Sequence, residues 1–221
     1  MPSPYSHKSR RPVFILCAGQ SDRFSGQQKC MLPVEDEPLL VRTIRLAAKH
    51  RHQGVPIFRN GQTVPIELDT ELRISVTKST CQTAHAVLSL ALPESPLRIL
   101  LGDVFYTEEA MAKIMAEKKT RFFGDGQDIF AITVSPTDFL TFGLALVAGM
   151  ISARNNGRLW EAYRDMFSLP KCPLQAPAPG FAFIGDRTQD FDTPEEYDDF
   201  LKGVSKNILY RATQPQPQAS T

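Results

Sequence analysis

Apolar and polar positions divide the chain into strand-like and helix-like segments in turn. Val13-Phe14-Ile15-Leu16-Cys17-Ala18 is an unbroken apolar run closed by Gly19, the pattern of a strand buried on both faces of a parallel sheet. From Pro38 the period becomes helical, with Leu40, Ile44 and Ala47 or Ala48 on one side and Arg42, Arg45 and Lys49 on the other. Leu72 to Val76 alternates like a strand, and Ser79 to Ala91 reads as a helix. The strand Leu97 to Leu101 ends at Gly102-Asp103, and Thr107 caps a helix running to about Glu117. Asp128 to Val134 and Phe142 to Ala148 read as two more strands with no helix between them. A helix from Leu159 to Met166 and a strand from Phe181 to Ile184 follow. The last helix opens at Thr193-Pro194-Glu195-Glu196, with capping-box spacing and proline in the first turn. The stretch after the first helix, which includes the turn Arg59-Asn60-Gly61, has no clear period. This order predicts an α/β fold, a three-layer α/β/α sandwich on a mainly parallel sheet that becomes mixed in its second half.

Composition narrows the picture. With 221 residues, 42% hydrophobic and 22% charged, the chain suits one domain over 12–211, flanked by polar segments 1–11 and 212–221 expected to be disordered. Twenty-five basic and 24 acidic side chains leave a charge of +1, without the basic excess of a nucleic-acid binder. No apolar run approaches the roughly 20 residues of a membrane span, so no membrane partner is expected. Cys17, Cys30, Cys81 and Cys172 form no CxxC pair and read as reduced thiols of a cytoplasmic protein. The four histidines are scattered, and His50 and His52 are expected to be solvated at the polar end of a helix.

In open α/β sheets ligands gather at the carboxyl ends of the strands. The first such loop is Ala18-Gly19-Gln20-Ser21-Asp22-Arg23-Phe24, followed by Lys29. Glycine permits close backbone approach, the following amides can face phosphate oxygens, and Arg23 and Lys29 add charge: a cradle for a triphosphate. It lacks the three glycines of a dinucleotide fingerprint and the Gly-Lys-Ser/Thr of a Walker loop. Asp103 stands at the sheet's ligand edge, where an aspartate also serves turn geometry. Asp190 and Asp192 project to the same side of an extended segment, and Asp192 also suits the helix cap that follows. Ser79, Thr80 and Gln82 open a helix beside the same edge, and Ser79 with Gln82 equally forms a plain cap.

The order strand, Ala18-Gly19, Arg23, Lys29, Leu32-Pro33-Val34, Pro38-Leu39-Leu40 resembles the opening signature of GT-A-type nucleotidyltransferases. These are the sugar-1-phosphate nucleotidyltransferases with their cytidylyl-transferring and MobA-like relatives. Gln20 stands where the family usually has a second glycine. The resemblance implies a Mg²⁺-dependent enzyme taking a nucleoside triphosphate and a phosphorylated small-molecule acceptor, most simply a sugar 1-phosphate. It implies catalytic roles for Lys29 and Arg23, and nucleotide contacts from Ala18, Gly19, Gln20, Ser21, Ser79, Thr80 and Gln82. Asp103, Asp192 and then Asp190 are implied as metal ligands, and Gly143, after Phe142, as an acceptor contact. Trp160, Tyr163 and Lys171 suit an acceptor pocket or the core and surface equally. A glycosyltransferase of the same fold and a non-catalytic nucleotide-binding domain stay open as alternatives. Base, acceptor and oligomeric state are not legible in the residues.

Overall fold

The computed structural model describes residues 11–19, 22–75, 79–91, 94–151, 158–169 and 179–203. Gln20, Ser21, Val76, Lys171 and Cys172, all but Arg11 of the expected disordered segment 1–11, the expected disordered segment 212–221, and the domain's expected end at 211 lie outside them. The elements run β1 (Arg11–Leu16), β2 (Pro33–Val34), β3 (Glu37–Pro38), α1 (Leu39–Lys49), β4 (His52–Arg59), β5 (Leu72–Ile74), α2 (Thr80–Leu88) and β6 (Leu97–Leu101). They continue with β7 (Val104–Phe105), α3 (Glu108–Ala116), β8 (Arg121–Gly124), β9 (Ile129–Val134), α4 (Phe139–Ile151), α5 (Leu159–Met166), β10 (Phe181–Phe183), β11 (Gln189–Asp190) and α6 (Pro194–Leu201). Seven strands form one sheet in the order β10-β8-β9-β6-β1-β4-β5. β1 pairs in parallel with β4 and β6, while β9 runs antiparallel to both β6 and β8. The expected mainly parallel, mixed sheet is therefore the one found.

The alternation of each strand divides its side chains between two cores. Phe14, Leu16, Ile99 and Ile132 face α2, α4 and α5, packing on Ala84, Val87, Phe142, Leu146 and Tyr163. Val13, Ile15, Leu100 and Ala131 face α1 and α3, packing on Leu40, Leu46, Met111 and Ile114. α1 buries Leu39, Leu40, Thr43, Leu46 and Ala47, so its apolar stripe is the one the periodicity predicts, shifted by a residue at Ile44. A third, smaller cluster lies at the strands' carboxyl edge: Phe24, Leu32, Val34, Leu39, Phe105, Phe191 and Phe200, with Tyr197 against it.

The structure departs from the sequence reading at five places. Phe142 to Ala148 is not a strand but the middle of helix α4. An apolar run does not reveal its own period, and here 13 residues are helical because Ala145 and Gly149 let the helix lie close on its neighbours. A Cβ on Gly149 would stand 3.1 Å from Cys81 Sγ and 3.9 Å from the Ala162 backbone. The unassigned stretch after α1 holds β4, a sheet-interior strand paired with β1 and β5. His52 is consequently buried at the start of that strand rather than solvated, its Nδ1 2.8 Å from the His50 carbonyl oxygen. β8, which the sequence pattern leaves unassigned, pairs with β9 and β10. Finally, Arg11, placed in the disordered segment by its composition, is the first residue of β1.

Burial, and then the charge of Arg98, hold the His52 ring below its ordinary pKa of 6.5. Arg98 is itself buried, donating to the carbonyls of Met115 at 3.0 Å and Glu117 at 2.6 Å at the end of α3. With the folded pKa below the unfolded one, the unfolded chain takes up the proton first. The stabilisation is complete above about pH 6.5 and is lost as the pH falls from there through the folded value. Melting temperature should therefore drop between about pH 7.5 and about pH 5.5, and His52→Gln should flatten that slope. An unchanged slope in a folded His52→Gln protein would assign the acid sensitivity elsewhere.

Candidate active site

The parallel strands deliver their following loops to one edge of the sheet. β1 ends at Leu16, leading to Cys17-Ala18-Gly19; β6 ends at Leu101, leading to Gly102-Asp103; and β5 leads to the start of α2. Gly102 is where the first two loops touch. Its amide donates to the Leu16 carbonyl at 3.0 Å. A Cβ there would stand 2.5 Å from Cys17 Sγ and 2.9 Å from Leu16 O. Gly19 is the opposite case, exposed, with no atom within 4 Å of a Cβ built on it. Among the described residues nothing requires glycine at 19, so its smallness is available to a ligand.

After Asp103 the chain turns into β7, which pairs antiparallel with β11 through Val104↔Asp190 and Phe105↔Gln189. The ladder brings the loop before α6 onto the end of β6. α6 opens with a full capping box: the Glu196 amide donates to Thr193 Oγ1, and Glu196 Oε2 accepts from the Asp192 amide at 2.8 Å and the Thr193 amide. Asp192 is thus held by its backbone while its side chain turns to Lys29. Lys29 Nζ lies 3.2 Å from Asp192 Oδ1 and 3.6 Å from Asp103 Oδ2. The Lys29 side chain is only 15% exposed, against 34% for that of Asp103 and 50% for that of Asp192, so a largely buried lysine joins two carboxylates that remain more open to solvent. The loop carrying Lys29 is anchored by Phe24, Leu32 and Val34 in the carboxyl-edge cluster, and Lys29 also lies 5.8 Å from the Phe24 ring centroid.

The site contains residues that sequence reasoning did not single out. Carboxylate oxygens of Asp128, Asp190 and Asp192 lie within 4.8 Å of one another, with Asp190 the most enclosed. Asp128 sits in the β8–β9 turn, where Asp125 Oδ1 accepts from the Gln127 and Asp128 amides at 2.9 and 2.8 Å. The Asp125-Gly126 pair is a hairpin signal that would have brought it to this edge. Gln62 braces the first loop from below, donating to the Cys17 carbonyl at 3.0 Å and to Gln28 Oε1 at 3.2 Å. The Asn60-Gly61 turn places it there.

Of the expected site residues, Lys29, Asp103, Asp190 and Asp192 are brought together. Asp103 is not a member of the carboxylate trio and joins the group through Lys29, 3.6 Å away. Arg23 is exposed in the short 3-10 turn Asp22–Phe24. Ala18 is buried beside Gly19. Ser79 caps α2, its side chain accepting from the Gln82 amide at 3.2 Å, with Thr80 and Gln82 half-buried in the first turn. Gly143 is not joined to this group: it lies in α4, where a Cβ would stand 2.9 Å from Leu88 Cδ2 of α2. Its smallness serves helix packing. Tyr163 belongs to the core, its hydroxyl donating to the Pro179 carbonyl at 2.9 Å and its pKa pushed up to about 12 by burial. Trp160 stacks on Phe181 at 5.6 Å.

Hard carboxylate oxygens around a space next to a cationic lysine suit a small divalent cation with phosphate oxygens as its remaining ligands. Cysteine chemistry is not prominent: burial raises the Cys17 thiol well above its usual range. No described helix is long and apolar enough to cross a membrane.

The sequence profile described as MobA-like NTP transferase domain matches residues 13–154. No curated protein matches the chain. Among solved structures, Rv0371c from Mycobacterium tuberculosis H37Rv is similar with a TM-score of 0.60 at 17% identity, over 88% of this chain and 99% of that one. The inositol-1-phosphate CTP transferase from T. maritima has a TM-score of 0.60 at 9% identity, over 88% and 95%. The CTP:phosphocholine cytidylyltransferase from Streptococcus pneumoniae has a TM-score of 0.58 at 11% identity, over 88% and 100%. At these identities the likeness is one of fold.

The two glycines at the edge give opposite expectations. Gly102→Ala should cost about 1–3 kcal/mol, the usual price of overpacking, and lower the melting temperature by several degrees. Gly19→Ala should stay within about 0.5 kcal/mol of the parent. Equal melting of the Gly102→Ala protein and its parent would contradict the close approach of β6 to β1.

Proposed function

The chain belongs to the MobA-like NTP transferase domain family of nucleotidyltransferases, and from that premise we propose that it transfers a nucleotidyl group from a nucleoside triphosphate to a phosphorylated small-molecule acceptor. The acceptor we propose is a sugar 1-phosphate, with a single catalytic domain spanning about 12–211. The observation that carries the reading is Lys29 held between Asp103 and Asp192 beside the open Gly19 loop. The transferases named for inositol 1-phosphate and phosphocholine, both phosphomonoesters, have a similar fold.

An acceptor phosphate oxygen attacks the α-phosphorus, the bond from that phosphorus to the bridging oxygen breaks, and pyrophosphate leaves. The acceptor is an anion near neutral pH, so no side chain need remove a proton. What the protein must supply is position and positive charge. Gly19, with Ala18, lets the triphosphate lie against the backbone, and Arg23 reaches the β- and γ-phosphates from the loop's exposed side. Lys29 follows the charge that develops around the α-phosphate. Ser79, Thr80 and Gln82 face the nucleoside from the start of α2. Asp103, Asp192 and Asp190 would hold Mg²⁺, with Asp128 as a neighbouring carboxylate, and the bound ion would neutralise phosphate charge. Lys29 and the ion draw on the same carboxylates, so the ligand-free salt bridges keep the acidic pair from repelling and hold the lysine near where it is needed. The glycosyltransferase alternative has a weaker basis: the position two after Asp103 is Phe105, buried in the carboxyl-edge cluster, rather than a second carboxylate.

Purified protein incubated with Mg²⁺, each of the four nucleoside triphosphates and a panel of phosphomonoesters should release pyrophosphate with one combination. Lys29→Ala should lower that turnover by on the order of 10²-fold or more without unfolding the protein. Chelation by EDTA should abolish it, with Mg²⁺ restoring it, and Asp103→Asn should behave like the chelated enzyme. Metal-independent transfer, or full turnover in a folded Lys29→Ala protein, would defeat the assignment. Sugar transfer from a nucleotide sugar with no pyrophosphate would favour the glycosyltransferase.

A further inference from the structure

Both polar atoms of the Gln62 side chain are engaged, and their bonds reach three separate segments. Its Oε1 accepts from the Arg59 amide at 3.1 Å. Its Nε2 donates to the Cys17 carbonyl at 3.0 Å and to Gln28 Oε1 at 3.2 Å. The amide cannot be turned over, because a backbone N–H only donates and a backbone carbonyl only accepts. Gln28 Nε2 in turn donates to the Thr63 carbonyl, so residues 62 and 63 hold both ends of the Gln28 amide. The position of Gln62 is itself fixed. Gly61 takes the left-handed conformation at φ +78°, and the Gln62 amide donates back to the Arg59 carbonyl at 3.0 Å. The Asn60 amide donates to the Ile74 carbonyl at 2.9 Å, beside the β4–β5 pairing, and the Arg73 guanidinium donates to the Gln62 carbonyl.

We propose that Gln62 is a positioning residue of the nucleotide site: its one amide fixes the separation of Gly19 from Lys29 and so preforms the loop for a polyphosphate. The inference rests on the reading of that loop as a triphosphate cradle. Cys17 stands two positions before Gly19, and Gln28 directly precedes Lys29. Gln28 also opens the 3-10 turn Lys29–Met31, its carbonyl accepting from the Met31 amide at 2.9 Å. The side chain that Gln62 grips therefore belongs to the residue from which the lysine's own turn starts. Asp103 and Asp192 hold the Lys29 ammonium through its charge, and Gln62 holds the backbone that carries it. Residues 18–27 separate the two tied points. Without the tie, a bound ligand would have to order that length of chain itself, with a loss of affinity. The chemistry selects glutamine over its near relatives. Glutamate would set an oxygen without a proton against the Cys17 carbonyl and Gln28 Oε1, and methionine of similar size would fill the space while making none of the three bonds.

Gln62→Met removes all three bonds, and Gln28→Met removes only the link to the Lys29 turn, a milder change should the first variant fold poorly. Titration calorimetry of the full chain with Mg²⁺ and each of the four nucleoside triphosphates identifies the one that the wild type binds. Either variant should bind it about tenfold more weakly. The monophosphate of the same nucleoside has no phosphate beyond the α to be gripped between Gly19 and Lys29, so its affinity should stay within about twofold of wild type. The double variant should bind the triphosphate no more weakly than Gln62→Met, because both residues act through one link. Wild-type triphosphate affinity in the folded variants would overturn the inference and leave the proposed reaction standing. An equal loss of monophosphate and triphosphate binding, the mark of a general structural role, would do the same. A wild-type protein that binds none of the four triphosphates would defeat the cradle reading itself, and this inference with it.

Discussion

The two-rung ladder between β7 and β11 is the contact on which the rest of the site depends. Lys29 and Asp192 are 163 positions apart in sequence, and no local rule brings them within reach of each other. Val104 paired with Asp190, and Phe105 with Gln189, carry the segment before α6 to the end of β6. Asp103 precedes one strand of that ladder and Asp192 follows the other, so the short pairing sets both carboxylates around one ammonium. So short a ladder would not stand alone in water. It stands because Phe105, Phe191 and Phe200 pack together behind it, with ring centroids 4.8 Å apart for Phe105–Phe200 and 5.0 Å for Phe191–Phe200.

The same aromatic cluster fastens the loop that carries Lys29. Phe24, Leu32 and Val34 enter it from the loop's two ends, and Tyr197 of α6 donates its hydroxyl hydrogen bond to the Pro33 carbonyl. Arg42 covers the outer face of Phe105, its guanidinium 4.4 Å from the ring centroid, and donates to the Tyr106 carbonyl at 3.2 Å. Tyr106 is fully buried, its hydroxyl donating to the Phe130 carbonyl at 2.6 Å and accepting from the Leu101 amide at 3.1 Å. Burial, with the Asp103 charge adding to it, keeps that phenol protonated well above its ordinary range. The polar groups beneath Asp103 are thus satisfied internally, leaving the carboxylates above as the part of the site open to exchange partners.

The fold separates three kinds of small residue. Gly102 is required by the protein's own close approach of β6 to β1, whereas no atom of the described residues comes within 4 Å of a Cβ on Gly19. Gly143 and Gly149 are small for a third reason, the near contact of α4 with α2 and α5. A glycine in a sequence announces that something comes close, without saying whether that is backbone, helix or ligand.

By itself, the sequence determined the elements whose signals are local. The apolar run of β1, the amphipathic α1, the Thr193 capping box and the helix from Leu159 to Met166 all stand where the pattern places them, because side-chain period and capping chemistry act over a few residues. The spacing of Gly19, Arg23, Lys29 and Leu32-Pro33-Val34 also carried the family, since fixed offsets survive without knowledge of the fold. Tertiary structure decided what depends on distant partners. α4 is helical because α2 and α5 supply surfaces for it, a fact invisible in a uniformly apolar run. His52 is buried because β4 lies between β1 and β5. Asp128 joins Asp190 and Asp192 only because β8 and β9 form a hairpin at the same edge that β11 reaches. Carboxylate repulsion and desolvation are settled by through-space neighbours, and it is the folded chain that chooses them.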